Sequence, residues 1–155
     1  MNKYKQQLIE FLAKNLFFHL IPLFYKPKYK AISMMELSQC NHNSLGYNTY
    51  LLLEKQGLSI FEGYEVHDLK HCLLNISMDV KGEICMQYFE LGNGNFSFSV
   101  LMVVTFGTLI CPEYYKEYKR HYTKGKQSHE LNGIELNQHL KSNLTQLRLD
   151  LNINL

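Results

Sequence analysis

Apolar side chains recur along the chain at the spacings of three and four residues that mark amphipathic helices. Near the start, Leu8, Phe11, Leu12 and Leu16 follow this pattern, which predicts a helix over residues 3–18. The same periodicity, combined with helix start and stop signals, predicts further helices at residues 44–56, 64–75, 78–91, 96–111, 112–125 and 136–151. The sequence therefore predicts a mostly helical protein.

Individual residues mark the helix ends. Gly57 is expected to stop the second helix, and Ser77 is expected to cap the N-terminus of the helix at 78–91. The run Gly92-Asn93-Gly94-Asn95 predicts a break, and Pro112 suits the first turn of a helix. Residues 96–111 are the most hydrophobic stretch, long for a strand and short for a membrane span, which favours a buried helix.

These elements predict an all-α fold, a single-domain bundle of about six helices occupying residues 1–155. Within it, residues 1–30 are expected to form an amphipathic N-terminal helix and a basic loop. The apolar run at residues 16–25 is interrupted by His19 and Pro22 and is too short to cross a bilayer, so we expect neither a signal peptide nor a membrane span. In the loop, lysines alternate with Tyr25 and Tyr29, which suits either a membrane surface or a solvated loop.

Composition and charge exclude some classes of partner. The chain is 46% hydrophobic and 19% charged, and its formal net charge is only +2. This balance does not favour a polyanion binder, so no nucleic-acid partner is expected.

The four cysteines have no CxxC spacing, which predicts reduced and mostly buried thiols.

Candidate chemistry is concentrated in the sequence HDLKH at residues 67–71. Residues four apart lie on the same face of a helix, so His67 and His71 project together, with Asp68 close to that face. Two imidazoles and a carboxylate suit a divalent metal of the zinc type. A histidine pair at this spacing also occurs as a surface coincidence or as a structural pair. An HD phosphohydrolase is disfavoured because the chain has only three aspartates.

Glu83 joins this set only if the chain reverses. Along one continuous helix it would lie roughly 18 Å from His71, because each residue adds about 1.5 Å. A turn at Ser77, six residues from both His71 and Glu83, would bring them level in a helical hairpin. Gly82, which has no side chain, would let the two helices approach closely. The sequence thus predicts one metal site formed by His67, Asp68, His71 and Glu83.

The spacing of HDLKH, eleven residues and Glu83 resembles the HDxxHx11E motif of the Coq4 family. Weaker matches occur in the right order on both sides of it. They are the block Ser44-Leu45-Gly46 with Tyr50 and Leu51, the segment Glu83-Ile84 to Tyr88-Phe89-Glu90, and a tail with Tyr122, Leu144, Arg148, Leu149, Leu151 and Ile153. The resemblance covers roughly residues 44–153. Asn75 replaces the glycine that the family usually has in the turn, and the link before His67 is shorter than usual.

The resemblance implies an all-helical fold, a bound divalent ion, most simply zinc, and a role in ubiquinone biosynthesis. It also implies His67, Asp68, His71 and Glu83 as the ligands, and chemistry of the oxidative decarboxylation type at C1 of a polyprenylated ring. A long apolar substrate tail would need a channel, for which the helix at 96–110 near Gly107 is a candidate. The same helix could equally be an ordinary core helix.

Two functions therefore remain open at the level of sequence. One is a metal-dependent enzyme of prenylated quinone biosynthesis, and the other is a non-catalytic scaffold or prenyl-lipid-binding protein with a structural metal. Both imply a polyprenyl quinone precursor or another prenyl lipid as partner, together with the membrane surface, other biosynthetic enzymes and a second copy of the chain. Both imply a cytoplasmic protein held peripherally at the inner membrane.

Overall fold

The fold was obtained as a computed structural model that describes residues 31–60 and 63–155. The predicted N-terminal helix at 3–18 and the basic loop lie outside the described residues. Within the described ranges there are seven α-helices, two 3-10 helices and no extended strand. The α-helices are α1 (Met34–Ser38), α2 (Leu45–Gln56), α3 (Glu65–Leu74), α4 (Val80–Gly92), α5 (Phe98–Ile110), α6 (Tyr115–Gln127) and α7 (Leu144–Asp150); the 3-10 helices are Pro112–Tyr114 and Leu136–His139. The all-α prediction is confirmed.

Helix α2 begins and ends where the sequence predicts. The Ser44 hydroxyl accepts a hydrogen bond from the Tyr47 amide at 3.2 Å, and Gly57 closes the helix with a left-handed φ of 66°. A Cβ on Gly46 would come within 2.8 Å of Cys40 Sγ, so only glycine fits at this position without displacing its neighbours. The Ser-Leu-Gly block is therefore a helix start packed tightly against α1.

The link between α3 and α4 joins the two helices that carry the predicted metal ligands. Asn75 adopts a left-handed conformation with a φ of 52°, as the turn prediction requires. The N-cap of α4 is Asp79 and not Ser77, a correction to the sequence prediction. Asp79 accepts from the Gly82 amide at 2.7 Å and from the Ser77 hydroxyl at 2.9 Å, so its carboxylate does the capping and Ser77 supports it.

The close approach made by Gly82 is to this link and not to α3. A Cβ on Gly82 would lie 1.8 Å from the carbonyl oxygen of Ser77. Helix α3 packs mainly against α2, while α4 packs mainly against α6. Helices α3 and α4, which the link joins, are therefore each packed against a different neighbouring helix.

Glycines set the contact between α4 and α6. A Cβ on Gly92 would come within 2.1 Å of the Tyr122 carbonyl oxygen, and a Cβ on Gly125 would come equally close to that of Phe89. The Asn93 side chain then donates to the Gly125 and His129 carbonyls and accepts from the Leu131 amide. The segment that ends α4 at the predicted break thus also connects α4 to the end of α6, through the hydrogen bonds of Asn93.

Helix α5 is buried on one face only, which corrects the expectation of a buried helix. Val100, Val103 and Gly107 are buried, and Gly107 packs on Ile84 of α4. Its other faces are apolar but are not covered by the described bundle. The large exposed side chains in and beside it are Phe96, Phe98, Leu101, Phe106, Leu109 and Tyr115. Among the described residues no single helix has the length and apolarity to span a membrane. Helix α5 and the segment Pro112–Gln127 reach that length and apolarity only as a pair, which is bent by 103°.

Residues 136–151 do not form one helix, which is a further correction to the sequence prediction. The chain is 3-10 helical over Leu136–His139, and α7 starts only after Asn143, which caps it. The intervening carbonyls bond to the start of α2, because Gly46 donates to Leu140 and Leu45 donates to Ser142. The helix is interrupted because these backbone groups have partners elsewhere.

The described helices share one hydrophobic core, to which α7 contributes Leu144 and Leu147. The four cysteines are free thiols and all except Cys40 are buried, as the sequence predicts. Burial raises the pKa of the Cys72 thiol and raises that of Cys85 to about 11, so both are uncharged at neutral pH.

Candidate metal site

Three of the four predicted ligands converge on one point. Nε2 of His71 lies 2.9 Å from Oε1 of Glu83, and Nε2 of His67 lies 3.2 Å from Oε2 of the same carboxylate. The two Nε2 atoms are 3.1 Å apart. One donor atom from each residue falls within 4.8 Å of the other two.

These separations suit ligands of a single ion. Bonds of about 2.0–2.2 Å to a four-coordinate zinc place neighbouring ligand atoms roughly 3.3–3.5 Å apart, and a six-coordinate ion places them somewhat closer. The observed distances between the three donor atoms run from 2.9 to 3.4 Å. Two imidazoles and a carboxylate are a donor set that divalent zinc-type ions accept.

Hydrogen bonding at the far side of His71 fixes which ring nitrogen faces the site. Its Nδ1 lies 3.2 Å from the carbonyl oxygen of Ile76. Since a carbonyl oxygen only accepts, Nδ1 must carry the proton, and the Nε2 lone pair of the neutral ring is directed towards Glu83. A backbone carbonyl in this role is common behind metal-binding histidines.

The pKa values of Glu83 and His71 indicate that the site favours positive charge. Burial alone would raise the pKa of Glu83, but the hydrogen bonds and charges of His67 and His71 outweigh it and lower the pKa to about 2. Burial opposes protonation of His71, yet its contacts with Glu83 leave the pKa of the ring raised. The carboxylate of Glu83 is therefore ionised at neutral pH, and its negative charge would favour a bound cation.

Asp68 is the predicted ligand that the structure does not bring to this point. It is buried on α3, with 7% of its surface exposed, and its carboxyl oxygens are not part of the converging group. Burial raises the pKa of Asp68 to about 6, although the charges of His67 and His71 oppose this. Asp68 therefore contributes negative charge beside the histidines and not a donor atom of the cluster.

The site is open on one side. His71 has no exposed surface, whereas the side chains of His67 and Glu83 are 33% and 36% exposed. His71 therefore forms the floor of the site, and the other two side chains form its edge. A molecule in solvent can approach the donor atoms from the side of His67 and Glu83.

Two supports of the site were not identified as such from the sequence. Arg148 donates from Nε to the Leu73 carbonyl at 2.8 Å and from a terminal nitrogen to the Cys72 carbonyl at 2.7 Å. It thereby satisfies the last carbonyls of the histidine-bearing helix. Lys70 pairs with Glu90 at 2.6 Å and so joins α3 to α4. Both residues lie in segments that resemble the Coq4 motifs, and this resemblance is the feature of the sequence that could have identified them.

Comparisons with known proteins agree with the resemblance to the Coq4 family. The family model for the coenzyme Q (ubiquinone) biosynthesis protein Coq4 matches residues 60–155, more than half of the chain, including all the site residues. The chain belongs to the Coq4 family. The Ser44-Leu45-Gly46 block lies before the matched residues.

The fold has a counterpart among solved structures. The chain is similar to a protein of Nostoc punctiforme PCC 73102 that is provisionally assigned to ubiquinone biosynthesis, with a TM-score of 0.69 and 19% identity. The similarity covers 99% of this chain and 83% of the other. At this identity it establishes a shared fold. No curated protein matches the chain in sequence.

Proposed function

We propose that this Coq4-family protein binds one divalent metal ion, most simply zinc, and acts in ubiquinone biosynthesis on a polyprenylated quinone precursor. The observation that carries the proposal is the convergence of His67, His71 and Glu83, with the His71 ring held by Ile76. Family membership supports the biosynthetic role, since ubiquinone biosynthesis is what the matched family is named for.

Three protein ligands favour a reactive site over a closed structural one. A tetrahedral ion with four protein ligands has no position for a substrate, whereas three leave one open. Because Asp68 stands outside the converging atoms, this donor set is of the open kind. An ion bound there would supply Lewis-acid polarisation of a substrate oxygen. His67 and Glu83 would hold the ion at the exposed edge of the site, where a ring substituent could reach the open coordination position. The chemistry suggested by the resemblance is oxidative decarboxylation at C1 of the ring.

The surface around α5 supports a lipid partner. Phe98 and Leu109 are 67% and 71% exposed at opposite ends of the helix. Several large exposed apolar side chains on one helix are typical of a surface that contacts a partner or a membrane. On α6, Lys119 and Lys126 are exposed beside Tyr115 and Tyr122, a combination that suits the headgroup region of a bilayer. We infer a peripheral position at the cytoplasmic face of the inner membrane.

A second candidate function is a scaffold that binds prenyl lipid and other biosynthetic enzymes without catalysis. The observation in its favour is the histidine–glutamate contact itself, because a protonated His71 paired with Glu83 would also be a stable structural unit. In that case the exposed α5 surface, and not the site, would be the functional part of the protein.

Substitution of the donors separates the two candidates. His71→Ala and Glu83→Gln should abolish complementation of a host that lacks its own Coq4 protein, while circular dichroism and vesicle binding stay unchanged. Metal content, measured on the same preparations, should fall in both variants. His42→Ala and Glu36→Ala, which change exposed residues of the same types, serve as matched controls and should behave as the unmodified protein.

Full complementation by folded, metal-free His71→Ala and Glu83→Gln would contradict the enzyme proposal and favour the scaffold. If both variants unfold, the more conservative His67→Gln, at the exposed edge of the site, gives the decisive result. Loss of complementation by folded His67→Gln supports catalysis, and full complementation by it contradicts catalysis.

A further inference from the structure

A pocket lies on the opposite side of α4 from the metal site, and its lining differs from that site in charge. It is partly open to solvent, has a volume of about 230 Å³ and is lined by the link at 74–77, the first turns of α4, α6 and Leu155. Lys81 and Cys85 line it, and each is roughly 200° around the axis of α4 from Glu83, because successive helix residues turn by about 100°. The pocket and the metal site therefore lie on opposite sides of α4.

Positive charge dominates the lining of this pocket. Its charged side chains are Lys81, Arg120, Lys124 and a single acid, Glu117. Glu117 is already paired with Lys81 at 3.1 Å. Within the described part of the chain, Arg120 and Lys124 have no acidic side chain within ion-pair distance. Burial and then the charge of Arg120 lower the pKa of Lys124, as expected for cations that lack a counter-charge.

His121 adds an unsatisfied polar atom to the same lining. Its Nδ1 is buried and has no hydrogen-bond partner among the described residues. Burial, followed by the charges of Lys124 and Arg120, lowers the pKa of His121 to about 4, so the ring is neutral at pH 7 and has one N–H to donate. A buried polar group without a partner is costly, and such groups in native proteins commonly mark a place for a ligand, an ion or water.

We propose that this cavity is an anion site for a phosphate group, held by the guanidinium of Arg120, the ammonium of Lys124 and an N–H of His121. Small-molecule pockets typically measure about 300–1,000 Å³, so the cavity suits an anionic group and not a whole large ligand. Arginine and lysine both favour phosphate oxygens, arginine through its planar fork of donors. The apolar lining, which includes Leu74 and Ile76, would contact the organic part that carries the phosphate.

Two sources could supply the phosphate group, namely a free phosphate compound or a phospholipid headgroup. The experiment therefore has two arms, both on the full chain treated with EDTA so that no phosphate binds through a metal. In one arm, inorganic phosphate is titrated by isothermal calorimetry. In the other, sedimentation measures binding to phosphatidylcholine vesicles with and without phosphatidylglycerol.

The test compares two double variants that lose the same amount of charge. Arg120→Gln with Lys124→Gln should weaken binding at least about tenfold in whichever arm binds, because charged hydrogen bonds are lost. The control, Lys116→Gln with Lys141→Gln, changes exposed lysines that neither line the pocket nor belong to the surface assigned to lipid headgroups, and should weaken binding less than about twofold. His121→Ala should weaken binding without any change of charge.

Saturable phosphate binding that depends on the pocket identifies a free phosphate compound as the source, and binding seen only with phosphatidylglycerol identifies a headgroup. Either result supports the proposal. Equal losses in the two double variants, or no saturable binding in either arm, would overturn it. If the double variant does not fold, Arg120→Gln alone replaces it, since Arg120 is exposed.

Discussion

His71 donates a hydrogen bond from Nδ1 to the carbonyl oxygen of Ile76 at 3.2 Å, which joins the metal site to the link between α3 and α4. The link takes its shape from Asn75, whose left-handed conformation ends α3 and turns the chain towards α4. The Ile76 amide then bonds back to the His71 carbonyl at 3.0 Å. One residue pair thus connects the backbone turn to the orientation of a ligand ring.

Asn75 should therefore affect metal affinity although it touches no donor atom. Asn75→Val places a β-branched residue in a left-handed conformation, which costs about 1–2 kcal/mol and favours a shift of the Ile76 carbonyl. Loss of such an outer contact typically weakens metal binding about tenfold or more. Asn75→Gly keeps the conformation and should retain the affinity. Competition with a coloured zinc chelator measures both variants, and equal affinities would contradict this role of the link.

Arg148 should contribute to the stability of α3. Arg148→Met keeps most of the apolar stem but removes two hydrogen bonds to the Leu73 and Cys72 carbonyls. We expect the free energy of unfolding to fall by about 2–4 kcal/mol, because charged hydrogen bonds contribute about 1.5–3 kcal/mol each and are not additive. Urea unfolding measures the change, with Lys141→Met at an exposed position as the control. A change no larger than that of the control would contradict the assignment.

Asp68 should lower the stability of the metal-free protein at neutral pH. Its pKa is raised from 3.8 to about 6, so the folded state binds more protons than the unfolded state between these values. The contribution of Asp68 to stability therefore falls as pH rises through this window. Asp68→Asn should stabilise the EDTA-treated protein by about 1–3 kcal/mol at pH 7.5 and by less at pH 4.

Urea unfolding of Asp68→Asn and of the unmodified protein at the two pH values measures this difference. The two proteins are compared at the same pH, so that the titration of Glu83 affects both equally and cancels in the difference between them. A variant that is less stable than the unmodified protein at both pH values would show instead that the ionised Asp68 carboxylate has a favourable partner.

The apolar side of α5 should control vesicle binding. Phe106→Ser and Leu109→Ser each remove a large exposed side chain of α5, and full burial of such a side chain in an apolar medium contributes about 1.5–3 kcal/mol. We expect each substitution to lower partitioning into vesicles about tenfold, without loss of stability, as measured by sedimentation. Leu149→Ser, which changes a 68% exposed leucine on α7, is the matched control. Equal partitioning of all three variants would contradict a membrane role for α5.

Much of the fold follows from local signals in the sequence. Gly57 and Asn75 end helices in the left-handed conformation that their residue types favour, and the break after Gly92 follows from its glycines and asparagines. The grouping of His67, His71 and Glu83 could also be predicted, because helix periodicity and one reversal of the chain are enough to bring them together.

The errors arise where distant partners decide the local structure. Ser77 has a good capping side chain, but Asp79 is the residue whose carboxylate reaches the Gly82 amide. Residues 136–151 have helical periodicity, but the Leu140 carbonyl bonds to Gly46 of α2. The apolar sequence of α5 indicates a helix without indicating how many of its faces the bundle covers.

The role of Asp68 as a fourth ligand stays a prediction. Its spacing from His71 predicts a shared face of α3, but spacing does not determine which way a short carboxylate turns. The structure buries Asp68 beside the histidines, outside the group of donor atoms that His67, His71 and Glu83 bring together.

The most direct test of the account is the metal content of the full chain. The protein is prepared without added metal and analysed by inductively coupled plasma mass spectrometry after dialysis at pH 7.5 and at pH 5. We predict about one divalent ion per chain at pH 7.5 and clear loss at pH 5, because His67 and His71 bind metal only as neutral rings. His71→Ala should lose the ion at pH 7.5, and His42→Ala should keep it. A folded, unmodified protein with no bound ion at pH 7.5 would contradict the metal site.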